Sequence, residues 1–110
     1  MERLFCETPI FTQRLKELAS DTALSTIQNE ILENPSVGAT IAGTGGVRKM
    51  RAPDPSRGKG KRGGLRVLYL DLPDQEITYL IYLYGKDEAE DLTGDEKKQF
   101  KELVKVLKGV

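Results

Sequence analysis

Basic side chains are concentrated between positions 48 and 66 of this chain, and they are suited to binding an anion. Eight of these nineteen residues are basic, and one, Asp54, is acidic. The eight are Arg48, Lys49, Arg51, Arg57, Lys59, Lys61, Arg62 and Arg66. Cations packed this closely repel one another unless an anion or an acidic partner covers them. We therefore expect the segment to bind phosphate groups of a nucleic acid; the alternative is an ordinary solvated face.

The strand pattern of residues 47–52 gives part of this cluster a defined direction. Side chains alternate between the two faces of a strand, so Lys49 and Arg51 are expected on one face and Arg48 on the other. Arg66 begins the next predicted strand and would lie close to them. These three cations could therefore converge on one phosphate, the alternative again being simple surface residues.

Residues 53–64 are rich in proline, glycine and cations, which is typical of a long loop. The stretch 58–63 matches G-x-G-x-x-G, but it leads into a strand, whereas a dinucleotide-binding motif opens a helix. A phosphate-binding P-loop is excluded as well, because no G-K-[ST] ends the stretch. We predict instead a flexible basic loop that reaches phosphates through Lys59, Lys61 and Arg62.

Tyr84, Gly85 and Lys86 end a long apolar stretch with an aromatic ring, a flexible residue and a cation. A tyrosine there could stack a nucleobase while the lysine meets a phosphate. Packing in the core is the competing interpretation for Tyr84. We expect Tyr69, Tyr79 and Tyr82 to be structural.

Several classes of chemistry are improbable for this composition. The chain has no histidine and a single cysteine, Cys6, so a zinc site, a Ser-His-Asp hydrolase or a Cys-His nucleophile is not expected, and no cofactor is implied. Cys6 is predicted to be a packed strand residue. No apolar run is long enough to cross a membrane, which favours a cytoplasmic protein without a membrane partner.

The elements that must position these residues follow the order β-α-α-β-β-β-α. Thr8 and Pro9 are predicted to open the first helix, and Thr93 with Glu96 forms a capping box for the last. The order predicts an α+β fold in which helices cover one face of an antiparallel sheet and leave the other free. At 110 residues, the chain is expected to form one domain, residues 1–110.

Several motifs together resemble the RelE/HigB family of bacterial toxins over nearly the whole chain, most strongly the HigB branch. The HigB-like features are residues 43–49 and the glycine-lysine loop at 58–64. The remaining shared features are Lys49-Met50-Arg51, residues 64–69, residues 82–86 and the Leu92-Thr93 start of the last helix.

The resemblance implies a metal-independent endoribonuclease that cuts mRNA in the ribosomal A site and inhibits translation. In that family the 2′-hydroxyl attacks the adjacent phosphate, so no external nucleophile is needed. By position, Lys49 and Arg51 match a base and a phosphate clamp, and Arg66 matches the arginine that stabilises the transition state. Lys86, Tyr84 and Asp87 all stay open as the acid, because this chain has Leu92-Thr93 where relatives place a tyrosine.

The resemblance also implies partners, namely the 70S ribosome with its mRNA and an antitoxin encoded beside the toxin, expected to be a small helix-turn-helix protein. Two other functions remain open. The same fold hosts ParE-type gyrase inhibitors, which bind a protein and cut no RNA. The chain could also be a non-catalytic RNA-binding module.

Overall fold

The computed structural model describes residues 3–19, 21–53, 64–85 and 91–109. This part of the chain contains five strands and three α-helices. They are β1 (Leu4–Glu7), α1 (Pro9–Leu18), α2 (Asp21–Glu33), β2 (Ala39–Thr40), β3 (Arg48–Ala52), β4 (Leu65–Leu72), β5 (Ile77–Gly85) and α3 (Gly94–Lys108). Within these ranges no helix is both long and apolar enough to span a membrane.

Local capping chemistry fixes the ends of the first and last helices as predicted. The Thr8 hydroxyl accepts a hydrogen bond from the Phe11 amide at 3.1 Å, and Pro9 occupies the first turn, where it has no N–H to satisfy. Both hydrogen bonds of the Thr93–Glu96 capping box are formed. Gly109 ends α3 in the left-handed conformation that glycine adopts without strain.

The five strands form one mixed sheet in the order β1-β5-β4-β3-β2. The α+β class is confirmed, but the prediction of an antiparallel sheet is wrong for β1, which pairs in parallel with β5. Parallel pairing is possible because α1, α2 and the inner strands separate β1 from β5 along the chain. Strand β2 was not predicted, since a pair of residues is too short to show alternation. Cys6 lies half-buried in β1, as expected.

Both faces of the sheet are covered, so the prediction that all helices lie on one face is wrong. Phe11 of α1 and Ile27 of α2 pack in one hydrophobic cluster with Val67 of β4. Val104 of α3 packs in a second cluster with Leu70, the opposite side of β4. We call these the α1/α2 face and the α3 face.

The turn at residues 43–46 explains how α3 is held on its face. Gly45 has a φ of +80°, and a Cβ built there would lie 3.4 Å from the Val104 side chain. The Lys108 ammonium also donates to the Gly45 carbonyl at 3.3 Å. Glycine is favoured here by the left-handed backbone, and α3 packs in van der Waals contact with it.

An irregularity in the pairing of β4 with β5 decides which tyrosines share a face. Leu68 pairs with Tyr82 and Tyr69 pairs with Leu80, which leaves Ile81 as an extra residue in β5. Tyr79 is thereby placed on the α3 face, together with Tyr82 and Tyr84. The apolar run of β5 packs against both clusters.

Candidate functional site

Three predicted site residues form a straight row across the sheet. Arg51 of β3 pairs with Arg66 of β4, and Arg66 pairs with Tyr84 of β5. Neighbouring strands lie about 4.8 Å apart, so the row spans about 10 Å on the α3 face. The expectation that β3 and β4 bring Arg51 and Arg66 close together is confirmed.

Lys49 lies one step along the same face of β3. It pairs with Leu68, which in turn pairs with Tyr82, so a second row runs beside the first. The predicted shared face of Lys49 and Arg51 is therefore confirmed. The catalytic roles of these residues remain predictions.

The two arginines of the row differ in their exposure. Arg51 is exposed, whereas Arg66 is only 6% exposed, and one of its Nη atoms lies 3.5 Å from the Leu65 carbonyl oxygen. Like charges directly opposite one another weaken a strand pair. Burying one of the two guanidinium groups adds a desolvation cost that hydrogen bonds and counter-charges must offset. A phosphate bound between the two guanidinium groups would supply the opposite charge. The arrangement is chemically suited to binding such a phosphate.

Asp91 provides an acidic contact that the sequence did not reveal. Its carboxylate lies 3.5 Å from the Lys49 ammonium, and the two side chains are 87% and 30% exposed. The next residue, Leu92, packs against the α3-face cluster and so keeps Asp91 beside the sheet. The acidic composition of residues 71–96 was visible in the sequence, but nothing in it indicated which carboxylate meets a site lysine.

The burial of Tyr84 favours the core interpretation over base stacking. The residue is 3% exposed and belongs to the α3-face cluster. Its ring lies 5.8 Å from the ring of Tyr82, at a tilt of 32°. A nucleobase could reach the ring only by displacing its neighbours, so any chemical role of Tyr84 rests on its hydroxyl.

Arg14 of α1 is a second site neighbour that the sequence analysis missed. Its Nε donates to the Leu83 carbonyl at 3.0 Å, and its guanidinium carbon lies 5.6 Å from the centre of the Tyr82 ring. The sequence feature that could have indicated this contact is the position of Arg14 on α1, one residue before the buried Leu15 and three after the buried Phe11. An arginine at the edge of a buried helix face often reaches along the adjacent sheet.

Arg48 lies on the α1/α2 face and does not join the row. Its guanidinium donates to the Gly38 carbonyl at 2.7 Å. The Tyr69 hydroxyl accepts from the Gly38 amide at 2.9 Å and donates to the Pro35 carbonyl at 2.8 Å. Burial raises the pKa of this hydroxyl, against the smaller opposing effect of the Gly38 hydrogen bond. Tyr69 is structural, as expected.

Six residues of the predicted site and its alternatives lie outside the described residues. They are Arg57, Lys59, Lys61 and Arg62 of the basic loop, with Lys86 and Asp87 after β5.

Comparison with known proteins identifies the family. A family model described as the RelE toxin of the RelE/RelB toxin–antitoxin system matches residues 3–110. The chain belongs to the RelE toxin family. Family membership makes it a toxin of a toxin–antitoxin system, with an antitoxin as partner.

A solved structure agrees with this assignment at the level of the fold. The chain is similar to a mutant of the E. coli toxin RelE in the free state, with a TM-score of 0.61 and 19% sequence identity. The match covers 90% of this RelE-family chain and 98% of the E. coli chain. Assignment to the HigB branch stays a prediction.

Proposed function

We propose that this toxin is a metal-independent endoribonuclease that cuts mRNA in the ribosomal A site and thereby inhibits translation. The observation that carries the proposal is the cross-strand row of Arg51, Arg66 and Tyr84, with Lys49 one step away on the same face. Family membership supports a toxin, and the row supplies the cations that phosphodiester cleavage requires.

The proposed reaction uses the RNA's own nucleophile. The 2′-oxygen forms a bond to the adjacent phosphorus while the bond from phosphorus to the 5′-oxygen of the next nucleotide breaks. The 2′-hydroxyl proton passes to a base on the toxin, and an acid protonates the leaving 5′-oxygen. The products are a 2′,3′-cyclic phosphate and a free 5′-hydroxyl, and the reaction consumes no water.

The environments of the cations suggest a division of roles. Arg66 is nearly buried and lies between two strands, so it can hold the non-bridging phosphate oxygens with little reorganisation. Arg51 is exposed and can meet the incoming phosphate from solvent. Lys49 lies one row away and is assigned to the 2′-hydroxyl side, as base or as phosphate clamp. For the acid, Tyr84, Lys86 and Asp87 remain the candidates.

The proposal includes the surroundings of the site. The toxin would act in the cytoplasm as one domain of the HigB type, on the 70S ribosome. Arg48, Arg57, Lys59, Lys61 and Arg62 would contribute RNA or ribosome contacts. Its antitoxin would be a small helix-turn-helix protein.

The direct test is cleavage in a purified translation system, with cut sites mapped on ribosome-bound mRNA. We expect cuts within codons. Replacing Arg66 with Ala should lower the cleavage rate about 10²- to 10³-fold, the usual cost of removing one transition-state donor. Arg66→Lys keeps the charge and should retain part of the rate, while the exposed α1 variant Lys16→Ala should cleave normally.

Each alternative function predicts a different outcome in this system and in a separate gyrase supercoiling assay. Uncut mRNA with the natural toxin, together with arrested gyrase supercoiling, would establish the ParE-type function. Tight RNA binding without cleavage would establish a binding module. Circular dichroism of each variant separates lost chemistry from lost folding.

A further inference from the structure

The α3 face carries a groove beside the cationic row that the proposed reaction does not use. It encloses about 500 Å³ between the start of α1, strand β5 and α3, a size usual for small-molecule sites. We propose that this groove, with Tyr82 as its stacking surface, binds an unpaired nucleobase next to the phosphate held by Arg51 and Arg66. The inference deepens the proposed function and rests on it for the position of the phosphate.

Tyr82 connects the groove to the row. It lines the groove, and its ring lies 5.8 Å from that of Tyr84, the tyrosine of the row. Unlike Tyr84, it is only half-buried. A nucleotide whose phosphate lies on the row can therefore place its base against Tyr82 without opening the core.

Arg14 packs against one side of this ring. The bond from its Nε to the Leu83 carbonyl fixes the guanidinium, whose carbon lies 5.6 Å from the Tyr82 ring centre. The Arg14 side chain is 18% exposed, so the planar cation is held largely within the protein. Aromatic rings and arginine planes are the groups on which proteins stack unpaired bases.

The lining of the groove suits a base better than a phosphate. Ile10, Leu92 and Phe100 provide apolar walls, while the Glu96 carboxylate at the rim repels an anion. Gln99 also lines the groove and is exposed, and its amide can both donate to and accept from a base edge. Phosphate on the cationic row and base in the apolar groove is the partition that the charges of the two surfaces favour.

The inference is tested by a double-mutant cycle between Tyr82 and the RNA. Ribosomes are programmed with an mRNA whose A-site codon carries a 2′-deoxynucleotide at the cleavage position, so that the toxin binds but cannot cut. A second set carries one abasic site next to that position, on either side. Toxin affinity is measured for natural protein, Tyr82→Leu and the control Tyr79→Leu. Tyr79 is also half-buried, in the same strand and against the same cluster.

With natural toxin and with Tyr79→Leu, one abasic position should weaken binding about 5- to 150-fold, the range for one stacked base. With Tyr82→Leu, binding to intact mRNA should already be weaker, and the same abasic site should add no further loss. Gln99→Ala should change the preference among the four bases at that position only.

Equal abasic losses in natural toxin and Tyr82→Leu would overturn the base subsite. Cleavage of the all-ribose mRNA is measured separately. If cleavage occurs while Tyr82 and the base are uncoupled, the base subsite fails and the endoribonuclease stands. If they are coupled without cleavage, the subsite stands and the endoribonuclease fails.

Discussion

Arg51 and Arg66 lie directly opposite one another across β3 and β4. Two cations at one cross-strand position destabilise the free protein. Removing one of the two charges tests whether this repulsion weakens the strand pair.

Replacing Arg51 with Gln should stabilise the free toxin while impairing cleavage. We expect a gain of about 0.2–1 kcal/mol in the free energy of unfolding, because one of two opposed charges is removed. The gain should shrink as salt rises, since salt screens an exposed charge. Urea unfolding at low and high salt measures both effects. Lys16→Gln removes an exposed cation from α1 and should change neither; an equal gain there would show a general charge effect.

Replacing Asp91 with Asn should strengthen binding to ribosome-bound mRNA. The Asp91 carboxylate lies 3.5 Å from the Lys49 ammonium, so an arriving phosphate must compete with it. Exposed ion pairs are worth about 0.2–1 kcal/mol, which corresponds to an affinity gain of about one-and-a-half- to fivefold. Asp95→Asn makes the same charge change on the exposed first turn of α3. Equal gains in both variants would contradict a specific role for the Lys49–Asp91 pair.

The free energy of unfolding should fall at high pH because of the buried Tyr69 hydroxyl. Burial raises the pKa of its hydroxyl above 10.0, so between 10.0 and the raised value the unfolded chain loses this proton while the folded protein keeps it. Stability is therefore undiminished below pH 10 and declines as pH rises through the folded-state pKa. Urea unfolding from pH 8 to 11 should show this decline, and Tyr69→Phe should reduce it.

The same Tyr69→Phe change should cost about 1–3 kcal/mol at pH 8, because the Gly38 amide and the Pro35 carbonyl lose their buried partner. Tyr79→Phe, the half-buried control, should leave the high-pH decline in place. A decline of the same size in the Tyr69→Phe protein would assign it to another group.

Gly38→Ala should damage the site from a distance. A Cβ at Gly38 would lie 2.8 Å from the Lys49 carbonyl oxygen and 2.9 Å from the Tyr69 ring, so β3 must shift to accept it. We expect a loss of about 1–3 kcal/mol, typical of overpacking, together with slower cleavage. Gly94→Ala adds the same methyl group where nothing lies within 4 Å, and it should be tolerated. Normal cleavage by Gly38→Ala would show that the position of β3 is not critical.

Local patterns predicted the parts of this fold that depend on neighbours in sequence. The caps of α1 and α3 follow from Thr8 and from the Thr93–Glu96 pair, and the shared face of Lys49 and Arg51 follows from alternation. Each of these depends on residues within a few positions of one another.

The features that were missed depend on distant contacts. The four residues of β1 do not indicate which strand they join, and α3 reaches its face through Gly45, about sixty positions before Val104. The contacts of Asp91 with Lys49 and of Arg14 with Tyr82 likewise exist only after the sheet has assembled. The extra residue in β5, which brings Tyr79 onto the same face as Tyr82 and Tyr84, likewise leaves no mark in the sequence.

The parallel pairing of β1 with β5 affects the order in which the toxin can fold during synthesis. Leu4 pairs with Ile77 and Glu7 with Leu80, so β1 is made before the other described strands and yet is among the last of them to pair. The row of Arg51, Arg66 and Tyr84 likewise needs three strands, the last of which ends at Gly85. Contacts this distant along the chain form slowly. During synthesis the cations of β3 therefore emerge well before the strand that completes the row, and the site can form only after β5 has been made.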